Sequence, residues 1–366
     1  MPADHSARRA ALRRELVARE LDALLVTDLL NIRYLTGFTG SNAALLVTAS
    51  DTPGNEDRTV VCTDGRYVTQ IAAQVPDLRA DIDRASAAHL VDVAARAGGR
   101  VGFESHMVTV EQWESWRPQL GAHDLVPAPR LVETLRMIKD EYEIGLLREA
   151  CACADAALAD LVARGGLRPG RTEKAVAREL ENLMFDHGAD GISFETIVAA
   201  GANSAVPHHR PTGAVLASGD FVKLDFGAQV GGYHSDMTRT YVLGSAAEWQ
   251  RDVYALVARA QAAGRGALNP GTAVADVDAA ARAVIDDAGH GELFLHGLGH
   301  GVGLEIHEAP GIGQRGTGTL SVGETVTVEP GVYFAGRGGV RIEDTLVVRE
   351  HEPELLTRTT KDLTVV

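Results

Sequence analysis

The sequence predicts an α+β fold in two parts. An α/β N-terminal part precedes a duplicated unit of helices and β-hairpins whose strands form an antiparallel centre. Three observations predict it. Short apolar runs alternate with helix-like stretches from the start to about residue 135. Leu167-Arg168-Pro169-Gly170 recurs as Leu268-Asn269-Pro270-Gly271, 101 residues later. Val222-x-Leu224-Asp225-x-Gly227 is echoed by Val326-x-Val328-Glu329-x-Gly331, 104 residues on.

In the N-terminal part a helix-like start (Ala10–Leu21) leads into an apolar strand at Ala23–Val26. Further strands are expected at Ala43–Val47 and Thr59–Cys62, the last closed by an Asp64-Gly65 turn signal. From Gly121 to Leu131 the chain reads as a loop, with Pro127 and Pro129. Asp140 with Glu143 three residues on is a capping pair that opens a helix. The domain boundary falls near residues 128–138, drawn here as 1–132 and 133–366.

In the second part each Pro-Gly turn is followed by an Ala-rich helical stretch that ends near a glycine, Gly188 and then Gly289, again 101 apart. Each repeated acid is followed by another on a β-rich segment. Asp236 comes 11 residues after Asp225, and Glu343 comes 14 after Glu329. Two such halves packed about a pseudo-two-fold axis bring four carboxylates together. Carboxylates that close repel one another unless protonated or paired, and burying them uncompensated costs several kcal/mol per ion. Two divalent cations cancel the charge. The donor set of carboxylates and one imidazole suits Mn, Co, Fe or Zn, with two ions roughly 3.5–4 Å apart. Strand parity agrees: Glu329 shares a face with Thr327 and Thr325, and Glu343 shares one with Arg341, while Val326, Val328, Val340 and Ile342 point the other way.

Histidines are densest in His296-Gly-Leu-Gly-His300-Gly-Val-Gly-Leu-Glu-Ile-His307-Glu308. Gly297 and Gly299 argue against a helical zinc pair, and no His-Glu-x-x-His is present. A phosphate loop is excluded by the missing Lys-Ser/Thr end. The glycines instead let backbone approach a site closely. His208 and His209 lie in a turn-rich loop, Gly201-Ala-Asn-Ser-Ala-Val-Pro-His208.

Bulk properties narrow the function classes. Of 366 residues 45% are hydrophobic and 23% charged, enough for a sizeable core. The net charge of −15 repels phosphate backbones, which argues against a nucleic-acid partner. Cys62, Cys151 and Cys153 are odd in number and lack metal-type spacing, so free thiols in a reducing, cytoplasmic compartment are expected. The basic start (Arg8, Arg9, Arg13, Arg14) reads as a solvated helix, and no run of 18 apolar residues suggests a membrane span.

These residues carry a resemblance. The second part resembles the pita-bread metallopeptidases: methionine aminopeptidases, Xaa-Pro aminopeptidases and prolidases, with creatinase as a metal-free relative. The matching pieces are Gly-x-Asn-Ser-Ala-x-x-His208, Leu-Asp225-Phe-Gly-Ala, Ser-Asp236-Met-Thr-Arg-Thr, His296-Gly-x-Gly-His300-x-x-Gly-Leu-x-x-His307-Glu, Val-Glu329-Pro-Gly and Val-Arg341-Ile-Glu343-Asp. The first part resembles the creatinase-type N-terminal domain through Asn31-Ile-Arg-Tyr-Leu-Thr-Gly-Phe38, Thr63-Asp-Gly-Arg-Tyr67 and Arg136-Met-Ile-Lys139-Asp140-Glu-Tyr-Glu143-Ile.

The resemblance implies roles. Asp225 binds one metal, Asp236 and Glu343 bridge both, and His300 and Glu329 hold the second. Glu329 also handles the proton of a bridging water. His208 and His307 sit over the scissile bond, and His296 and Arg341 lie by the substrate, where in proline-specific members they accompany recognition of the imide. The implied enzyme is an Xaa-Pro aminopeptidase acting through a metal-bridging hydroxide, with Mn as the expected metal and Co or Zn as alternatives. Its substrates are peptides with proline second, and a homodimer or higher homo-oligomer is expected. Phe38 and its loop are the candidate for closing the cleft from a partner subunit. The alternatives are an Xaa-Pro dipeptidase and, in a different class, a non-catalytic pita-bread binding protein. Creatinase lacks the full ligand set found here. Methionine aminopeptidases lack the N-terminal domain and a residue like His296.

Overall fold

A computed structural model of the chain describes residues 3–49, 58–120 and 125–366. It separates into two compact units, Met1–Arg136 and Met137–Val366. The boundary expected after residue 132 thus falls inside a helix, and the units divide at that helix's end.

The N-terminal unit contains α1 (His5–Ala18), β1 (Ala23–Val26), α2 (Leu29–Thr36), β2 (Ala43–Thr48), β3 (Val60–Thr63), α3 (Val68–Gln74), β4 (Arg79–Ile82), α4 (Ser86–Ala97), β5 (Val101–Phe103), α5 (Val110–Trp116), β6 (Leu125–Pro127) and α6 (Leu131–Arg136). The strands form one mixed sheet in the order β4-β3-β2-β1-β5-β6. The stretch expected to be loop holds β6, which pairs in parallel with β5. Proline stays compatible with a strand here because β6 is an edge. Residues 121–124 of that expected loop lie outside the described residues.

One expectation for this unit fails for an identifiable reason. Three of the four arginines of the basic start, Arg8, Arg9 and Arg13, are buried in α1, and only Arg14 is solvated. Arg8 and Arg9 donate to the carbonyls of Tyr34 and Leu35 in the last turn of α2, and Arg13 reaches Thr48 O and Thr59 Oγ1. Helix C-terminal carbonyls lack partners within their own helix, and guanidinium forks satisfy them. Phe38 is 1% exposed and packs edge-on against Tyr67. Its ring belongs to the core of its own unit.

The second unit is built twice. Its first half runs α7 (Glu141–Ala163), α8 (Glu173–Asp186), β7 (Gly191–Ile192), β8 (Ile197–Ala200), β9 (Phe221–Phe226), β10 (Ala228–Val230), β11 (Tyr233–His234) and β12 (Met237–Val242). Its second half runs α9 (Glu248–Gly266), α10 (Val274–Asp287), β13 (Gly299–Gly301), β14 (Glu308–Ile312), β15 (Thr325–Val328), β16 (Gly331–Phe334), β17 (Gly338–Arg341), β18 (Asp344–Val347) and β19 (Glu354–Leu355). α7 opens on the expected capping box, with Asp140 and Glu143 each bonding the other's backbone N–H.

The repeat is visible atom by atom. Gly170 and Gly271 both adopt positive φ, +89° and +84°. Their N–H groups donate to Leu216 O and Leu320 O, residues 104 apart. Gly188 and Gly289 likewise both have positive φ, as a helix C-terminus demands. Each half has its own apolar core, one around Leu158, Leu180 and Leu224, the other around Val257, Val277 and Val328. The antiparallel sheets β12-β9-β8 and β14-β13-β15-β18-β19 carry the matched acids. The three cysteines are free, Cys62 and Cys151 being buried. Among the described residues no helix is long and apolar enough to cross a membrane.

Candidate metal centre and active site

The second unit brings the predicted acids to one place. Asp225 lies on β9 two residues from Lys223, and both side chains leave the same face of the strand. Asp236 immediately precedes β12. β12 pairs with β9 so that Thr238 stands opposite Asp225. From the other half, Glu329 leaves β15 with its N–H bound to Leu298 O. Glu343 joins β17 to β18 and donates its N–H to Thr238 O across the halves. Val326, Val328, Val340 and Ile342 are fully buried in the core, as strand parity requires.

His300 sits in β13 facing these acids. Its Nδ1 is 3.0 Å from Gly301 O, which fixes Nδ1 as the protonated nitrogen. The bare Nε2 then faces Asp236 Oδ2 at 3.5 Å and Glu329 Oε1 at 3.4 Å. Burial pushes the imidazole pKa down to about 4, so the ring is neutral. An electron pair aimed at carboxylate oxygens is an arrangement that a cation satisfies.

The carboxylates say the same. Burial, then the charges of Glu343, Asp225 and Glu329, hold Asp236 well above the usual carboxylate range. Glu343 is displaced the same way by burial and then by Glu329 and Asp225. Burial pushes Glu329 up to about 7 against the opposing pull of Arg341. Asp225 Oδ1 is buried without a hydrogen-bond partner. One ligand atom each from Asp236, His300 and Glu343 lies within 4.8 Å of the others. A donor set of hard oxygens and one imidazole, with an orphaned carboxylate oxygen, fits divalent cations.

His208 and His307 line a cavity of about 240 Å³ together with Asp225, Asp236 and Glu329. The rings of His300 and His307 meet edge-on, centroids 4.4 Å apart. His296 lies to one side in a connected chain of hydrogen bonds. Arg341 Nη1 donates to Tyr333 Oη at 2.9 Å, and Tyr333 Oη lies 2.8 Å from His296 Nε2. Burial, then Arg341, pushes the His296 pKa down to about 3, so Nε2 accepts the tyrosine proton. Arg341 is buried, pairs with Asp225, and donates Nε to Thr238 Oγ1 at 3.0 Å.

Sequence reasoning missed three contributors. Tyr333 follows Glu329 by four residues on an extended chain, a parity that could have marked it. Thr238 donates Oγ1 to Glu343 Oε2 at 2.6 Å while accepting from Arg341, and Lys223 is fully buried beneath the site. Neither announces itself in sequence, since a threonine or lysine on a strand usually faces water.

The match with known proteins is extensive. The pattern of metallopeptidase family M24 covers residues 145–350, and that of the creatinase/prolidase N-terminal domain covers residues 8–138. The Bacillus subtilis peptidase YqhT is 38% identical over 348 residues, 94% of this chain and 96% of its own. The structure of an Xaa-Pro dipeptidase from Bacillus anthracis superposes with a TM-score of 0.92 at 36% identity, covering 99% of this chain and 100% of that one. That of an X-Pro aminopeptidase from Thermotoga maritima gives 0.86 at 31% identity, covering 98% and 99%. The chain belongs to metallopeptidase family M24, with a creatinase-type N-terminal domain followed in the sequence by a pita-bread catalytic unit.

Proposed function

We propose that this metallopeptidase is an Xaa-Pro aminopeptidase with two divalent ions held by Asp225, Asp236, His300, Glu329 and Glu343. The observation that carries the reading is the buried convergence of four carboxylates and the bare Nε2 of His300 beside the Arg341–Tyr333–His296 chain. When bound, the ions supply Lewis-acid activation of water and of the scissile carbonyl. Glu329 takes the proton of the attacking water and returns it to the leaving nitrogen, a general-base role. His208 and His307, facing the same cavity, donate to the oxygen on which charge develops. His296 and Arg341 flank the substrate, and Tyr333 couples the two. Because proline nitrogen carries no hydrogen in the peptide, the site has no amide donor to satisfy and an apolar ring to seat. The acidic cluster favours a free amino terminus.

The carboxylate-rich donor set favours Mn²⁺, with Co²⁺ or Zn²⁺ as substitutes. A cytoplasmic homodimer is the assembly that accompanies this reading. The second reading is an Xaa-Pro dipeptidase, and the similarity to the Bacillus anthracis protein favours it. Turnover of an Xaa-Pro dipeptide against an Xaa-Pro-containing tripeptide, with Mn²⁺ added, separates the two. Comparable kcat/KM on both supports the aminopeptidase. Cleavage of the dipeptide alone replaces it with the dipeptidase.

A further inference from the structure

Neither His208 nor His307 has a hydrogen bond to its own ring among the described residues, and both rings are exposed to the cavity. Their placement therefore rests on the backbone that carries them, with the His307 ring also meeting that of His300 edge-on. In each case the next residue turns away and meets a buried charged group. His209 Nε2 lies 2.8 Å from Glu173 Oε2, and Lys139 Nζ donates to Glu308 Oε2 at 3.0 Å.

The Glu173 carboxylate is built for this. It opens α8, is wholly buried, and accepts five hydrogen bonds. Oε1 takes Ala200 N–H and Asn203 Nδ2; Oε2 takes His209 Nε2, Thr212 N–H and Thr212 Oγ1. These donors span residues 200–212, so one carboxylate ties both ends of the loop that bears His208. Burial alone would raise its pKa, but the donors outweigh burial and hold it below the usual range. On the opposite side of the loop, Lys223 Nζ donates to Val206 O at 2.7 Å and Pro207 O at 3.2 Å.

The His307 loop is closed in another way. The Glu308 carboxylate folds back to accept Glu305 N–H at 3.1 Å. It packs over Gly303 so closely that a Cβ there would fall 2.6 Å from Oε2. The Lys139 side chain is 1% exposed and that of Glu308 6%, and Lys139 is itself tied through its N–H to Gly323 O. A buried pair of this kind fixes geometry more than it adds stability.

We propose that Glu173–His209 and Lys139–Glu308 are positioning pairs, one for each cavity histidine, which set the reach of His208 and His307 over the scissile bond without touching substrate. The inference rests on reading those two histidines as catalytic.

The test uses the metal-loaded full chain. His209→Ala removes one donor and leaves Glu173 with four; Glu308→Gln keeps shape and removes the charge facing Lys139. Each is also made in the His208→Ala or His307→Ala background. The single variants should lose kcat on the order of 10- to 100-fold, the scale of a misplacement near 1 Å, with KM and metal content close to the parent. Tm should fall in Glu308→Gln, which leaves the buried Lys139 charge uncompensated, so the kcat loss is read at a temperature well below that Tm. In the histidine-free backgrounds the same changes should have no further effect, because the group they aim is gone. Additive losses in the double variants, with His208→Ala and His307→Ala themselves severe, overturn the positioning role alone. Full activity of His208→Ala and His307→Ala overturns the catalytic reading and this inference with it. If Glu308→Gln does not fold, Lys139→Arg keeps the charge, displaces the donor and should show a smaller kcat loss that vanishes in the His307→Ala background. A loss that persists there overturns the proposal.

Discussion

The two halves of the catalytic unit share a scaffold and differ at the position that follows it. In the first half the Pro-Gly turn leads to Thr172, which caps α8, and to Glu173, the buried acceptor of five hydrogen bonds. In the second half, 101 residues on, the same places hold Ala273, with no side-chain cap, and Val274, fully buried among apolar neighbours. The same contrast recurs 104 residues apart on the strands. Lys223 pins the His208 loop, whereas Thr327 accepts His300 N–H and donates to Glu329. One copy has turned its interior toward holding a loop, and the other toward packing and toward the ligand strand itself. A duplicated fold thus supplies two pairs of matched acids by symmetry and everything else by divergence.

The comparison is broken most completely at the shared centre. Asp225 and Asp236 come from one half and His300, Glu329 and Glu343 from the other, so metal binding should need both. Chelator dialysis should abolish peptidase activity and Mn²⁺ or Co²⁺ restore it; full turnover by rigorously metal-free protein would contradict the centre. Asp236→Asn should lose at least one ion by elemental analysis, and two tightly held ions in that variant would remove Asp236 from the bridge.

The metal-free protein carries a further signature. Folded pKa values of Asp236, Glu343 and Glu329 lie above their unfolded values. Their contribution is therefore full below the unfolded pKa, near 4, and is lost as pH rises through the folded values, about 7 for Glu329. Thermal melts of apoprotein should fall between pH 5 and pH 8 by roughly the slope expected from proton linkage, and metal loading should flatten the curve. A flat apoprotein profile would mean the acids are not crowded as described.

Swapping the halves' residues sharpens the contrast. Val274→Glu places a carboxylate in the second core with no donors prepared for it and should cost about 3–5 kcal/mol by denaturant unfolding. Glu173→Val should also destabilise, since each orphaned donor costs about 1–3 kcal/mol. A tolerated Val274→Glu would mean that the two positions are not specialised.

Across the interface of the halves, Arg341 pairs with Asp225. Arg341→Ala should lower kcat/KM on Xaa-Pro substrates by about 2–4 kcal/mol in transition-state terms while two ions per chain remain. Unchanged kinetics would confine it to the ion pair, and loss of both ions would make it a support for Asp225.

The smallest effect lies at the caps. Thr172→Ala should cost about 0.5–2 kcal/mol, and Ala273→Ser should recover part of that in the other half, about 1 kcal/mol. Equal and opposite shifts in the unfolding midpoint would show that the two turns remain equivalent. No change at Ala273 would show that its helix start is fixed by packing alone.

Much of this was legible without coordinates. The Pro-Gly turns, the terminal glycines and the paired acids are local signals repeated at a near-constant offset, and each maps to a matching backbone feature. The capping box at Asp140 is a four-residue event and needs no tertiary context. Where the reading went astray, distant atoms decided. Arg8 and Arg9 of α1 are buried against carbonyls at the end of α2, and Pro127 lies in a strand because β5 is beside it.

The sequence by itself determined the duplicated scaffold and its four matched acids, because periodicity, turn chemistry and paired acids are written in neighbouring residues, while His300 joined them as a candidate ligand through the resemblance to the pita-bread metallopeptidases. Only the tertiary structure decided which nitrogen of His300 faces the acids, that Tyr333 links Arg341 to His296, and that Glu173 and Glu308 hold the loops of His208 and His307. The links of Tyr333, Glu173 and Glu308 join residues between 8 and 169 positions apart, and the acids that the His300 ring faces lie 29 and 64 residues from it. They depend on desolvation and on hydrogen-bond geometry, which exist only once the chain has folded.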